Sequence, residues 1–527
     1  MNYILPILAL VFFMSGCTKL GPDFNGIKDA PTPPKEWMKD TNTTEDEFAK
    51  WWNIFGDKKL DALIQKAYEQ NFDIKTAGIR ILQSRAVLGI SEAMIYPQVQ
   101  KLSGNLASTY KKNNTINSGA LNFDIGWEID FWGKYARGME ASEANLYLSV
   151  ASYREILTTV IAEVARNYIN YKTAQERIIY AKRNIAIQQR VVKMTEIQFN
   201  SGNVSELDMQ QARTQLYNTQ AALPSIELSK IKARNALAVL LALPHKEIQK
   251  MLDDDNIANN AKYFSLKDNV IQLDENTQKF VELQVIPIAK FDPYKKIDAS
   301  LLERRPDVKM AEFKAMSASA KIGQSETMLY PSFSLFGNIG YNSNDASGDW
   351  VSLGDAVGVS IGPAFSWNIF QYGRIKNQIR IADAEFEKSL YGYNKTVLNA
   401  LRDVDDALNG YVLSKKQLEQ RKKALEANLR AFNLSVIQYN NGLVTYQRLL
   451  STVEKLTTIQ DIYAQLRGLT SINAVLLYKS LGGGWQISLN NAYISKKTKE
   501  SLKSRGVDWG KYLDDDMTRF PKGLKHE

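Results

Sequence analysis

A seven-residue apolar period runs unbroken through two stretches of this chain and leaves few folds open to it. Stepping by sevens from Leu157 meets Val164, Tyr171, Ile178, Ile185, Val192 and Phe199. The same steps from Val397, 240 residues on, meet Val404, Tyr411, Leu418, Leu425, Phe432 and Tyr439. A strict heptad keeps one seam against a partner helix and winds the pair left-handed. Neither Gly nor Pro interrupts 139–199. At 1.5 Å per residue, a helix over 134–199 is about 100 Å long, far beyond the usual globular helix. The companion seam in the first stretch, Ile161, Tyr168, Gln175, Lys182, Gln189 and Glu196, turns polar towards Gly202. In the second it reads Leu401, Leu408, Lys415, Lys422, Leu429 and Val436. A polar seam suits water inside an assembly or plain outer solvent, and both readings stay open.

The 240-residue spacing belongs to a tandem repeat. AVLGISEAMIYPQ (86–98) answers AKIGQSETMLYPS (320–332), and Phe131-Trp132-Gly133-Lys134 answers Gln371-Tyr372-Gly373-Arg374. The expected division is a first repeat over 60–245 and a second over 298–484. A segment over 246–297 joins them, 17–59 precedes them and a tail over 485–527 has no counterpart. Each long helix stops at a glycine, Gly202 or Gly442, where a left-handed C-cap belongs. Val204 and Val444 follow, and Ser205 and Thr445 then suit N-caps of returning helices, with Glu206 and Asp208 well placed for the first helical turn. The return runs to about Leu243 and Leu481, and Pro224 predicts a kink in the first.

Each repeat also alternates with period two. In 120–131 the odd positions are Leu121, Phe123, Ile125, Trp127, Ile129 and Phe131, with Asn122, Asp124, Glu128 and Asp130 among the even. Residues 357–369 repeat the design around Pro363, which fits only an edge strand or bulge. Weaker strands precede both, so four are expected, at about 99–111, 119–131, 332–342 and 356–369. An apolar face opposite a wet one fits a membrane barrel. Four strands cannot close one, and open edges cannot sit in lipid. Several chains must share a barrel, and a duct favours three or more, since eight strands fill their interior.

Composition excludes other classes. Two histidines, His245 and His526, and one cysteine rule out Cys/His zinc sites and disulfide scaffolds. No Walker motif or convincing catalytic set is present, so no enzyme, cofactor or metal site is expected. A formal charge of +9 spread over 527 residues, with no dense basic tract in the body of the chain, does not point to nucleic acid. Residues 4–14, ILPILALVFFM, are too few to span a bilayer and suit a signal peptide over 1–16. Met14-Ser15-Gly16-Cys17 resembles a lipobox, which makes Cys17 the expected lipid-attachment residue. Thr18 in place of Asp favours the outer membrane. The tail, with Lys496, Lys497 and Lys499 against Asp514, Asp515 and Asp516, reads as a mobile or equatorial appendage.

From Trp51-Trp52 with Phe55, Asp57 and Leu60, through Asn71 with Asp73, Tyr96-Pro97 and Trp132-Gly133, the order of motifs resembles the TolC-type outer-membrane efflux channels. Gly202 with Ser205, Leu207 and Asp208, the run Leu301-Leu302-Glu303-Arg304-Arg305-Pro306-Asp307, and Leu481-Gly482-Gly483-Gly484-Trp485 extend it to about 17–485. The nearest branch is the lipoproteins that serve resistance-nodulation-division pumps. The resemblance implies a mainly α protein with membrane β: a homotrimer closing a twelve-stranded β-barrel over a periplasmic α-helical barrel. It implies an exit duct for small molecules, lipid-anchored in the outer membrane, with a periplasmic adaptor (membrane fusion protein) and an inner-membrane pump as partners. Alternatives are the duct of a type I protein secretion system and a coiled-coil structural protein. The turns Gly202–Ser205 and Gly442–Thr445 would contact the adaptor. The family often narrows its mouth with carboxylates just after the second turn; Arg448 and Ser451 stand there, as candidates for the aperture.

Overall fold

The computed structural model describes residues 18–27, 31–32, 48–111, 114–252, 266–267, 270–271, 283, 285–290, 304–345, 356–489 and 491–519. The signal segment, Cys17, the Leu301-Leu302-Glu303 part of the motif and much of 246–297 lie outside the described residues.

Two copies of one design follow each other. The first comprises α1 (Lys58–Gln70), α2 (Phe72–Ala93), β1 (Val99–Lys111), β2 (Asn114–Ile129), α3 (Lys134–Asn200) and α4 (Glu206–Leu240), and a short α5 (His245–Leu252) follows. The second comprises α6 (Pro306–Glu326), β3 (Ser332–Asp345), β4 (Val357–Ser366), α7 (Arg374–Asn440) and α8 (Tyr446–Ser480). Helices α3 and α7 have 67 residues each, α4 and α8 have 35 each, and each pair is displaced by 240. At 1.5 Å per residue the long helices measure about 100 Å. Helix α4 continues through Pro224 without ending there. The lost N–H removes one bond from a helix held by its packing on α3.

The seams hold the pairs together. Leu157, Val164, Tyr171 and Val192 are buried, and Phe199 reaches solvent at the tip. Val397, Val404, Tyr411, Leu425, Phe432 and Tyr439 are all buried. In the companion seam Gln175 is buried, while Lys182 and Gln189 are exposed. One core cluster fills the equator, joining Trp51, Leu60 and Ile81 to Leu157, Tyr168, Val404 and Tyr478. A second fills the space between the hairpins lower down, around Ile187, Leu425, Phe432, Leu449 and Val453.

The four strands form one antiparallel sheet in the order β1-β2-β3-β4. Its register sorts the residues into rows. Leu102, Phe123, Ile339 and Val359 are cross-strand neighbours, and so are Lys101, Asp124, Asn338 and Ser360. One face is therefore apolar and exposed, with Leu102, Leu106, Phe123, Ile339, Val359 and Ile361 open to the surroundings. The other is polar and internally bonded: the Asn338 amide donates to Asp124 at 2.7 Å. Three strand limits depart from the sequence expectation, and one of them is the end of β3, at Asp345 instead of 342. Strand β2 starts at Asn114 instead of 119, because 114–118 pair with β1 although their pattern does not alternate. Strand β4 stops at Ser366 instead of 369, and the Trp367 indole leaves the ladder to donate to the Leu329 carbonyl at 2.9 Å. Pro363 lies in β4, opposite Leu335 of β3, at the edge of the protomer's sheet.

The tail is an equatorial appendage. Helix α9 (Lys496–Lys503) and the residues around it pack on α2, where the Arg85 guanidinium donates to the Arg519 carbonyl at 2.7 Å. Tyr493, Ile494, Leu502 and Leu513 belong to the equatorial core. Among the described residues no helix is long and apolar enough to cross a membrane.

Candidate functional site

The function of such a molecule resides at its two ends. At the upper end the sheet stands on a belt of aromatic residues. The Trp127 indole donates to the Ile95 carbonyl at 3.0 Å, and Trp132 donates to Pro331 at 2.8 Å. Trp367, Phe370, Tyr372 and Tyr96 are exposed at the same level. Amphipathic rings at the foot of an apolar band mark a membrane–water boundary.

The segment that follows Cys17 is fixed at this boundary. The Leu20 amide donates to the Trp132 carbonyl at 3.2 Å. Arg137, almost wholly buried, donates to the carbonyls of Leu20 at 2.8 Å and Gly21 at 2.7 Å, and pairs with Glu140 at 2.8 Å and Asp23 at 3.0 Å. The Arg137 and Lys19 charges hold the Asp23 carboxyl below its usual range. Gly133 has φ +77°, and a Cβ there would stand 3.0 Å from the Lys19 Cα. Gly373, its repeat partner, also has φ +82° but faces open space apart from the Asn377 amide.

At the lower end both helical hairpins turn in the same way. Gly202 and Gly442 have φ of +74° and +71°. The amides of Asn203 and Leu443 reach back to the carbonyls of Gln198 at 2.9 Å and Gln438 at 2.8 Å, closing Schellman turns. The fold brings six of the sequence-predicted residues together: Gly202, Val204, Ser205, Gly442, Val444 and Thr445 line one cleft of about 780 Å³ between the two tips. Arg448 and Ser451 stand beside it on α8, Arg448 exposed and Ser451 half-buried.

The two N-caps differ. Ser205 forms a capping box: its hydroxyl accepts from the Asp208 amide at 3.2 Å, and the Asp208 carboxylate accepts from the Ser205 amide at 3.1 Å. Thr445 occupies the N-cap position of α8 with no side-chain bond to the helix. The sequence expectation of matching caps holds for the backbone and fails for the Thr445 side chain.

Three links between the repeats were not visible in the sequence. Glu176 and Arg467 form a buried pair at 2.8 Å, with 0% and 3% of their side chains exposed, and Arg467 also donates to the Leu283 carbonyl at 2.6 Å. Arg177 grips Asp461 through two bonds, at 2.6 and 3.2 Å. Near the tip, the Tyr439 hydroxyl donates to the Gln198 side chain. Burial pushes the pKa of the Tyr439 and Tyr446 hydroxyls up, so both stay protonated. The Arg305-Pro306-Asp307 motif is a structural clamp. Arg305 forks onto Asp307 at 3.0 and 2.8 Å and donates to the Ser480 carbonyl at 2.6 Å, tying the start of α6 to the end of α8.

With this geometry in view, comparison with known proteins gives a consistent result. The model of the family described as "Outer membrane efflux protein" matches residues 63–243 and 299–483. The chain is 27% identical to the "Pyoverdine export outer membrane protein OpmQ" of Pseudomonas putida, over 91% of this chain and 97% of that one. It is 24% identical to the "Probable outer membrane lipoprotein SilC" of Salmonella typhimurium, over 91% and 98%. The solved outer-membrane channel OprN superposes with a TM-score of 0.75 at 25% identity, over 89% of this chain and 99% of that one.

Proposed function

The chain belongs to the outer membrane efflux protein family, and from that premise we propose how its residues build the duct. It is an outer-membrane exit duct of an efflux system. Channels of this family are trimers that work with periplasmic adaptors and inner-membrane pumps.

One observation carries the assembly: the sheet is apolar on one face and open at both β1 and β4. Open edges in lipid leave several kcal/mol of unmet hydrogen bonding per group. Strands β1 and β4 run antiparallel to each other along the sheet order, so β4 of one protomer can pair with β1 of the next. Three copies then close twelve strands. Below the sheet, α7 leaves Ile381, Tyr391, Leu398, Leu413, Leu434 and Ile437 exposed, and α4 leaves Tyr217, Leu228, Ile231 and Val239. These two apolar faces sit on opposite flanks of the four-helix wall and suit burial against each other between protomers.

The remaining roles rest on the same frame. Cys17 carries the lipid. In the chain it precedes by three residues Leu20, whose amide bonds the Trp132 carbonyl at the aromatic belt. The cleft between the tips takes the adaptor, and Arg448 and Ser451 line the aperture. A resistance-nodulation-division pump supplies small molecules and the energy for transport, a role the lipoprotein-branch resemblance supports. Single-particle images of the detergent-purified chain test the assembly. Three-fold particles with a barrel and a helical tube of about 100 Å support it, and two-chain rods without a barrel would sink it.

A further inference from the structure

The repeat makes every tip residue comparable with its partner 240 positions away, and the comparison exposes a reversal of charge. Residues 187–213 contain Arg190, Lys193 and Arg213 against Glu196, Glu206 and Asp208, a balanced set. The matching residues 427–453 contain Arg430 and Arg448 and no carboxylate at all. Glu206 is answered by Tyr446, and the capping Asp208 by Arg448.

Two of the three acids of the first tip are engaged. Asp208 closes the capping box and Glu196 pairs with Arg213 at 2.8 Å. The arginines of the second tip are both exposed, and neither has a side-chain partner among the described residues. Arg448 also stands in the first turn of α8, where the helix dipole disfavours a cation, and Thr445 adds no cap to offset it. The stripe of α8 left uncovered near the tip holds Gln447, Arg448, Lys455 and Thr458 with half-buried Ser451, and its first acid is Glu454, six residues and about 9 Å beyond Arg448. Local helix stability thus does not explain an arginine at this position.

We propose that the periplasmic mouth of the duct attracts anions. The inference rests on the trimeric duct proposed above. Three copies place three Arg448 guanidinium groups around one opening, whereas Arg430 shares the α7 face of Leu434 and Ile437 that packs between protomers. Rings of arginine or lysine select anions in pores, and a cleft lined by one sign of charge concentrates ions of the other. Arg448 lies one turn from the end of α8. Arg430 lies about 15 Å above the end of α7, from ten residues at 1.5 Å. At 0.1 M salt the screening length is about 10 Å, so Arg448 dominates the field at the mouth.

The test is the reversal potential of purified trimers in a planar bilayer under a potassium chloride gradient. Wild type is expected to prefer chloride. Arg448→Gln should abolish most of the preference. Arg448→Asp, which restores the residue of the first repeat, should shift the permeability ratio towards potassium by about tenfold. The shift should shrink at 1 M salt, where screening acts over about 3 Å. Since Arg448 is exposed and sits in the first turn of α8, both variants should melt at or slightly above wild type and remain trimers. A conducting wild type that prefers potassium, or a ratio unmoved by Arg448→Asp, overturns the inference and leaves the duct intact. Trimers that carry no current in any variant overturn the duct reading itself.

Discussion

The two hairpins of this chain are equal in length and unequal in surroundings. Helices α3 and α7 match residue for residue in span, as do α4 and α8. Yet α3 is packed on α2, α4, α6 and α8, while α7 touches chiefly α6 and α8 and keeps an apolar face open. The first repeat also carries the additions: the segment after Cys17 lies on Gly133, and the tail lies on α2. Length is the shared property because both hairpins build one wall and must end at one level. Side-chain chemistry was left free to diverge wherever only one repeat has a neighbour.

The largest test breaks the bond between the repeats. Replacing Glu176 by Gln or Arg467 by Met leaves a buried charge alone. Such losses run to about 3–5 kcal/mol, which should appear as a lower melting temperature for the trimer. The half-buried Arg177–Asp461 pair is the comparison: Asp461→Asn should cost less, about 1 kcal/mol.

Next come the paired glycines. Gly373→Ala should cost about 1–2 kcal/mol for a left-handed residue. Gly133→Ala should cost more and should also expose residues 18–27 to protease, because the new methyl displaces Lys19. Equal losses would mean that the N-terminal segment does not depend on Gly133.

The caps are predicted to differ as well. Ser205→Ala should destabilise its tip by about 1 kcal/mol, read as faster amide exchange at the start of α4. Thr445→Ala should change exchange at α8 little, since its hydroxyl caps nothing.

The smallest effect concerns Glu155, which occupies the position of exposed Lys395 in the second repeat. Burial, then the nearby Asp307 charge, raise its carboxyl above the usual range. A raised carboxyl favours folding below its unfolded pKa, and that contribution is lost as pH rises through the folded value. Glu155→Gln should therefore raise the melting temperature slightly at pH 7–8 and converge with wild type in acid. A lower melting temperature at pH 8 would contradict the burial argument.

The heptads, the period-two runs and the two turn glycines made most of the architecture legible before any coordinates. Those signals are local and periodic, so a single chain displays them in full. The early start of β2 escaped because a strand polar on both faces shows no alternation; only its pairing with β1 defines it. Six tip residues chosen for their turn chemistry did converge on one cleft, since a hairpin places its loop at its end. The failed Thr445 cap shows the limit of residue type: a hydroxyl at the right position still needs the rotamer that reaches the helix.

What the amino-acid order determined by itself was repetition, helix length, strand polarity and the charge reversal between Asp208 and Arg448. Each of these follows from spacing along the chain. What only the tertiary structure decided was which distant groups meet: Glu176 with Arg467, Arg177 with Asp461, Arg137 with the backbone after Cys17, and Arg305 with the end of α8. Those contacts join residues separated by more than a hundred positions, and no local periodicity encodes them. They form because burial in the folded wall makes an unpaired charge costly, and only the packing decides which distant group stands close enough to pair with it.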